Sequence, residues 1–347
     1  MIKIDGSFGE GGGQILRTAI ALSAVAQKPC HVFNIRKGRP KPGLMPQHLL
    51  GLRALGELCN GSLEGDELES EEIKFYPDNI DGEQTSITVR IQTAGSITLV
   101  LQTLLLPSLF SKKPIEIFFR GGATDTFFSP TIDYFRYAFL GILKKMIPTE
   151  NTSRPVAIDI IKRGYYPEGG AEVKVTVFPS KLRPLNLTER GQFRKITVIS
   201  GASEFLKNKK VAERQLAGVR EVLGKLKLFV EEKSEYYNTQ CPGSQICLIA
   251  EFKNTVIGTD NLGKLGKRAE DVGKEAALKL LREQKSGACL DKHLADQTLP
   301  YMALAGCKSQ VTVSEVTDHC KTNIWVIEKF LEGKFEIDGN LISWIPK

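Results

Sequence analysis

Gly11-Gly12-Gly13-Gln14-Ile15-Leu16-Arg17-Thr18-Ala19-Ile20-Ala21-Leu22 leads into Lys28-Pro29-Cys30-His31-Val32-Phe33. The pattern returns as Ala94-Gly95-Ser96-Ile97-Thr98-Leu99-Val100-Leu101-Gln102, which leads into Lys113-Pro114-Ile115-Glu116-Ile117-Phe118. Both copies read as glycine, apolar helix, Lys-Pro, alternating strand, basic glycine loop and second helix. The second helices are expected over Met45 to Leu58 and Thr131 to Met146, each after a proline-containing turn. A weaker third copy closes the chain, with a helix over Asp296 to Ala305, a strand over Gln310 to Ser314 and a second helix over Thr322 to Leu331. Each unit would bury one face of a small sheet under two helices, and three units packed together give an α+β fold.

Between Pro184 and Lys285 the repeat disappears and the composition turns Lys/Glu-rich. Strands are expected near Lys195 to Ile199 and Gln245 to Phe252, and helices near Val211 to Leu226 and Arg268 to Glu283. The expected organisation is a large domain of residues 1–184 and 286–347, interrupted by a smaller domain of residues 185–285. An insertion at a surface turn leaves the host core intact, so residues on either side of it can share one site.

The bulk composition agrees with an ordinary globular protein: 347 residues, 41% hydrophobic, with no apolar run of membrane-spanning length. The first residues lack the apolar core of a signal peptide, and a soluble, cytoplasmic protein without membrane contact is expected. Seven scattered cysteines form no Cys-x-x-Cys pair, which speaks against a disulfide framework or a zinc site. The net charge of +7 favours a polyanionic partner but equally describes solvated lysines. The densest basic segment is Arg36-Lys37-Gly38-Arg39-Pro40-Lys41-Pro42-Gly43.

Two local features carry chemistry. The run Asp5-Gly6-Ser7-Phe8-Gly9-Glu10-Gly11-Gly12-Gly13-Gln14 opens an apolar helix, where backbone N–H groups and the helix dipole can receive a phosphate. The same run would serve equally as a tight turn in a packed core. It matches neither a dinucleotide fingerprint nor a Walker loop, and Glu10 within it makes sense beside phosphate chiefly if a divalent cation bridges them. The segment from Gly258 to Leu265 mimics a Walker loop but ends in a leucine with no hydroxyl for a metal, and reads as a loop leading into a helix.

Of the four histidines, His31 falls in an apolar strand and reads as structural, and His48 could face either way. His293 and His319 stand near helix starts. The positive end of a helix disfavours the imidazolium and stabilises a phosphate attached to the ring, so a histidine there can act as a covalent nucleophile. It can also merely cap the helix.

Taken together, Gly9-Glu10-Gly11-Gly12-Gly13-Gln14-Ile15-Leu16-Arg17, Arg36 to Leu44, Leu294-Ala295-Asp296-Gln297 and His319-Cys320-Lys321-Thr322-Asn323-Ile324 resemble the RNA 3'-terminal phosphate cyclase family over nearly the whole chain. The resemblance implies three repeated units of two helices and a four-stranded sheet, with an inserted smaller α/β domain of thioredoxin-like fold. It implies ATP as a substrate, Mg²⁺ or Mn²⁺, and RNA bearing a 3'-terminal phosphate as partner. His319 would be the nucleophile that accepts AMP. Gln14, Gln102, Pro130, His293, Asp296 and Gln297 would bind ATP, His293 standing where relatives often carry Tyr. Glu10 would be the metal-associated carboxylate, and Arg17, Arg36 and Arg39 would hold phosphates of ATP or of the RNA end.

Two rival readings come from other classes. Catalytically silent relatives act as scaffolds in ribosome assembly but lack the histidine, and a nucleotide-dependent small-molecule transferase is suggested by fold analogy alone. The sequence leaves the oligomeric state open.

Overall fold

The computed structural model describes residues 1–80, 84–148 and 154–347. It is a mixed α+β structure with four small sheets. In the first, β1 (Ile2–Asp5) runs parallel to β2 (Cys30–Phe33), with α1 (Gly13–Ala26) crossing between them. After α2 (Pro46–Leu58) come β3 (Ser62–Glu64) and β4 (Ile73–Tyr76), giving the order β1-β2-β4-β3.

The second sheet follows the same course. β5 (Ser86–Ser96), α3 (Ile97–Leu109) and β6 (Ile115–Ala123) form a parallel crossover. A helical stretch follows: α4 (Ile132–Tyr134), a π-helical segment Phe135–Phe139, α5 (Leu140–Leu143) and a closing 3₁₀ turn. β7 (Val156–Lys162) and β8 (Glu172–Val177) complete the order β5-β6-β8-β7.

The third sheet joins distant parts of the chain. β9 (Asn186–Leu187) pairs in parallel with β14 (Ser309–Thr312), which follows α8 (Lys292–Leu304). After α9 (Asp318–Phe330), β15 (Gly333–Asp338) and β16 (Leu341–Pro346) complete the order β9-β14-β16-β15. β9 thus belongs with β14, although the sequence reading placed residues 186–187 just inside the insertion.

Both C-terminal helices begin earlier than their apolar periodicity suggests, because caps outside the apolar run set the start. The Asp291 carboxylate accepts from the backbone N–H groups of His293 and Leu294, each at 3.0 Å, and Thr317 Oγ1 accepts from Cys320 N–H at 3.1 Å.

The fourth sheet has another order, β11-β10-β12-β13, built from β10 (Phe193–Ser203), β11 (Val230–Tyr237), β12 (Ser244–Phe252) and β13 (Val256–Leu262). The apparent Walker loop is therefore mostly strand. Gly258 is required there because a Cβ would stand 2.9 Å from the Tyr134 ring. β12 shows why this sheet bridges two cores. Ile246, Leu248 and Ala250 face α6 (Val211–Leu223) and α7 (Ala269–Lys285), while the alternate residues Cys247 and Ile249 join the main core.

At the centre of the main core α1 packs against α2, α3 and α9. Its buried residues include Ile15, Leu16, Ala19, Ile20 and Leu22, and α3 buries Leu101, Leu104 and Leu105 completely. Truncating any of these leucines to alanine should cost roughly 2–5 kcal/mol. The tight α1–α9 contact brings the glycine run at one helix start beside His319 at the other.

Candidate active site

Local backbone geometry carries Glu10 to His319. Gly9 has φ +57°, and a Cβ on it would stand 2.6 Å from Thr322 Oγ1, so only glycine lets the loop rest on α9. Phe8 stacks on Trp325 of the same helix, with ring centroids 4.3 Å apart and planes 12° apart. Deeper in, Thr18 Oγ1 donates to Asn323 Oδ1 at 2.8 Å, and Asn323 Nδ2 donates to the Asp296 carbonyl at 2.8 Å, tying α1, α8 and α9 together.

Glu10 Oε2 consequently lies 3.0 Å from His319 Nε2 and 3.6 Å from Arg39 Nη2. All three side chains are partly exposed, so these contacts add little to stability; they organise a surface that remains open to a ligand. Burial lowers the His319 pKa, and the nearby cations Arg17 and Arg39, with His293, act in the same direction while Glu10 opposes them. The ring is therefore poised neutral near pH 7. Desolvation is the largest cause, beyond the helix start that the sequence suggested.

The site opens into a cleft of about 1070 Å³ that also includes Gln14, Arg17 and Arg36. His48 lies on its floor. A Cβ on Gly13 would meet His48 Nε2 at 2.1 Å, so the glycine gives the ring its place. His48 Nδ1 accepts from Met45 N–H, and burial together with Arg17 and Arg36 pushes its pKa down to about 3. It is a neutral ring.

A smaller recess beside the cleft shares Gln14 and Arg17 and adds Gln102, Asp296 and Gln297. Gln14 Nε2 donates to Asp296 Oδ2 at 3.1 Å. Burial pushes Asp296 up to about 7 against the pull of Arg17, and burial pushes the enclosed Arg17 down to about 10. Asp296 Oδ1 and Gln297 Oε1 are buried without a hydrogen-bond partner. Buried acceptors are costly to leave unpaired, and two together in a recess suit a ligand that brings donors, such as the exocyclic amine and hydroxyls of a nucleoside.

Pro130 and His293 line neither the cleft nor the recess. The Pro130 carbonyl accepts from Thr98 Oγ1 at 2.8 Å, and the next residue, Thr131, donates its N–H to Asp260. His293 sits in the first turn of α8 with its ring roughly perpendicular to that of Tyr134, at a centroid distance of 6.4 Å. Burial lowers its pKa and Asp260 opposes the shift.

Sequence reasoning missed Thr126, Phe127, Phe128, Tyr166 and Lys264 along the cleft, together with the Phe8–Trp325 stack. The adjacent aromatics in the polar loop after Gly121-Gly122 were the available signal. Lys264 stood in the segment that mimics a Walker loop, set aside because Leu265 follows it, and it reaches the cleft from the segment just after β13.

Among the described residues no group of three or more His, Cys, Asp or Glu side chains could hold a metal ion. Glu10 still fits a Mg²⁺-type ion, which commonly takes one or two carboxylates and completes its shell with substrate phosphates and water. Nor is any helix of the described residues long and apolar enough to cross a membrane.

A cleft that joins a neutral histidine, a carboxylate and three arginines, beside a recess of unpaired acceptors, is the equipment of an enzyme acting on phosphate groups. The comparison with known proteins narrows this class. The family model for RNA 3'-terminal phosphate cyclase matches residues 8–337, and the chain belongs to that family. Proteins of that name from Pyrococcus abyssi and Pyrococcus furiosus are 45% and 44% identical to it over 342 residues, covering 98% of this chain and 96% of each relative. One from Saccharolobus islandicus is 41% identical over 341 residues, covering 98% of this chain and 97% of the relative.

Proposed function

We propose that this protein converts the 3'-terminal phosphate of RNA into a 2',3'-cyclic phosphodiester, using ATP through a covalent histidine–AMP intermediate. Membership of the cyclase family supports the overall reaction. The observation that carries the mechanism is His319, kept neutral and held 3.0 Å from Glu10 at the mouth of an arginine-lined cleft.

The reaction has three displacements. An imidazole nitrogen of His319 attacks the α-phosphorus of ATP; an N–P bond forms, the bond to the β-phosphate oxygen breaks, and pyrophosphate leaves. In the neutral ring the Nε2 that faces the Glu10 carboxylate carries the proton, so the lone pair for attack is on Nδ1, or on Nε2 once that proton has moved to Nδ1 as Glu10 lets go. Arg17, Arg36 and Arg39 hold the phosphates and stabilise the charge that develops on pyrophosphate. A 3'-phosphate oxygen of the RNA then takes the adenylyl group from His319. Finally the neighbouring 2'-hydroxyl attacks the activated phosphorus, gives up its proton and expels AMP, a ring closure favoured by proximity. The need for that hydroxyl selects RNA ends over DNA ends. A divalent cation bound by Glu10 and the triphosphate would supply Lewis-acid polarisation of phosphoryl oxygens.

Gln14, Gln102, Asp296 and Gln297 would hold the nucleotide in the recess, with Pro130 and His293 contributing from beside it. The chain is best organised as three repeats (residues 1–184 and 286–347) around an insertion (185–285) resembling a thioredoxin-type domain. The common strand order of three sheets, the distinct order of the fourth and its own hydrophobic cluster support this. Seven free cysteines suit a reducing cytoplasmic setting.

Incubation with ATP labelled at the α-phosphate tests the reading. An acid-labile, alkali-stable protein adduct is expected, discharged by a 3'-phosphorylated oligoribonucleotide and not by its 3'-hydroxyl counterpart. A scaffold protein would form no adduct, and a small-molecule transferase would retain its label in the presence of either RNA.

A further inference from the structure

Part of the lining of the cleft is left unused by the chemistry above. Phe127, Phe128 and Tyr166 line the cleft together with Lys264. Phe127 and Tyr166 meet edge to face with centroids 6.0 Å apart, yet they remain 40% and 59% exposed. Phe128 is wholly exposed, at 103%, so its ring contributes nothing to the core. Its backbone also adopts φ +63°, a left-handed conformation costing a bulky residue on the order of 1–3 kcal/mol. A strained loop that holds an aromatic ring in water has no explanation in folding.

It has one in binding. Rings interleaved with cations along a groove are what unpaired nucleotides require: the bases stack on the rings, and the phosphates meet the positive charge. The same cleft is lined by Arg36, Arg39 and His319, so the rings share it with cationic groups and with the histidine. Charge and continuity both favour single-stranded RNA as the occupant.

We infer that Phe128, supported by Phe127 and Tyr166, is a stacking platform for a nucleobase near the RNA 3' end, and that Lys264 contacts the backbone phosphate beside it. This assignment rests on the cyclase reading and adds to it where the substrate is gripped.

The test uses the full chain and 3'-phosphorylated oligoribonucleotides. Phe128→Ala should raise the KM for RNA roughly 5- to 150-fold, the range a stacked base contributes, whereas Phe128→Trp should restore it. Removing the base at one of the last three nucleotides should equalise wild type and Phe128→Ala, since the platform then has nothing to stack. ATP-driven labelling of the protein involves no RNA and reports on folding and on the histidine mechanism. If wild type forms no adduct, the cyclase mechanism itself fails. If the adduct forms but Phe128→Ala leaves the RNA KM unchanged, or no abasic position equalises the two proteins, the platform is refuted and the patch is left to a protein partner.

Discussion

Glu10 Oε2 stands 3.0 Å from His319 Nε2, a contact between the loop ahead of α1 and the first turn of α9. It is held in place by Gly9 resting on Thr322 and by Phe8 stacked on Trp325. The proposed nucleophile and the candidate metal carboxylate are thus positioned by one helix pair, α1 and α9, and what weakens that pairing should weaken the chemistry.

His319→Ala should abolish both the AMP adduct and cyclisation, by three orders of magnitude or more, while leaving thermal stability within about 1 kcal/mol because the side chain is partly exposed. His293→Ala should instead raise the KM for ATP and still form adduct. An adduct of normal yield in the His319 variant would reverse the assignment of nucleophile.

The rate of adduct formation should rise with pH as the imidazole loses its proton, then level off. Because burial and nearby cations lower the His319 pKa, the midpoint should lie below the ordinary 6.5. Glu10 favours the imidazolium, so Glu10→Gln should move the midpoint lower still while reducing the plateau about 10- to 100-fold through loss of the carboxylate that would share the cation. Single-turnover labelling across pH 5 to 8 measures both effects. A midpoint that rises in the Glu10 variant would contradict the role given to the carboxylate.

Gly9→Ala should cost about 1–2 kcal/mol for its left-handed backbone alone, with a further penalty from the contact with Thr322. Adduct formation should fall more steeply than stability, since the displaced loop carries Glu10. Denaturant unfolding beside labelling kinetics separates the two losses.

Phe8 and Trp325 should be coupled. A double-mutant cycle to alanine is expected to give an interaction of about 0.5–1.5 kcal/mol. Strict additivity of the two single variants would mean that the stack does not fasten the loop.

Asp296 makes a prediction about stability. Its pKa is about 7 in the folded protein against 3.8 for an ordinary aspartate, so between those values the folded state holds a proton that the unfolded state has released. This contribution is present in full below pH 4, declines as pH rises, and is gone above pH 7. Asp296→Asn lacks the titration. From pH 4 to pH 8 its stability relative to wild type should therefore improve by up to about 4 kcal/mol, whatever constant cost it incurs by leaving Arg17 without its partner. Chemical denaturation of both proteins at the two pH values checks this.

The helices of the three similar sheets were legible because their apolar residues recur at helical spacing, and their starts were misplaced where Asp291 and Thr317 cap them from outside that spacing. The edge strand β11 was not legible, since Val230-Glu231-Glu232-Lys233 carries little apolar alternation and becomes a strand only by pairing with β10. Gly258 had the look of a loop residue for the same reason: its requirement is the ring of Tyr134, distant in sequence.

From residue order alone came the repeat, the glycine run, the histidine ahead of an apolar helix and the family these resemble, because each depends on neighbours within a turn or a strand. The approach of Glu10 to His319, the burial that keeps that ring neutral and brings Asp296 to about 7, and the line of exposed aromatics reaching toward Lys264 belong to the folded chain. Distances and dielectric surroundings arise only when α1 packs on α9 and the segment after β13 brings Lys264 to the cleft.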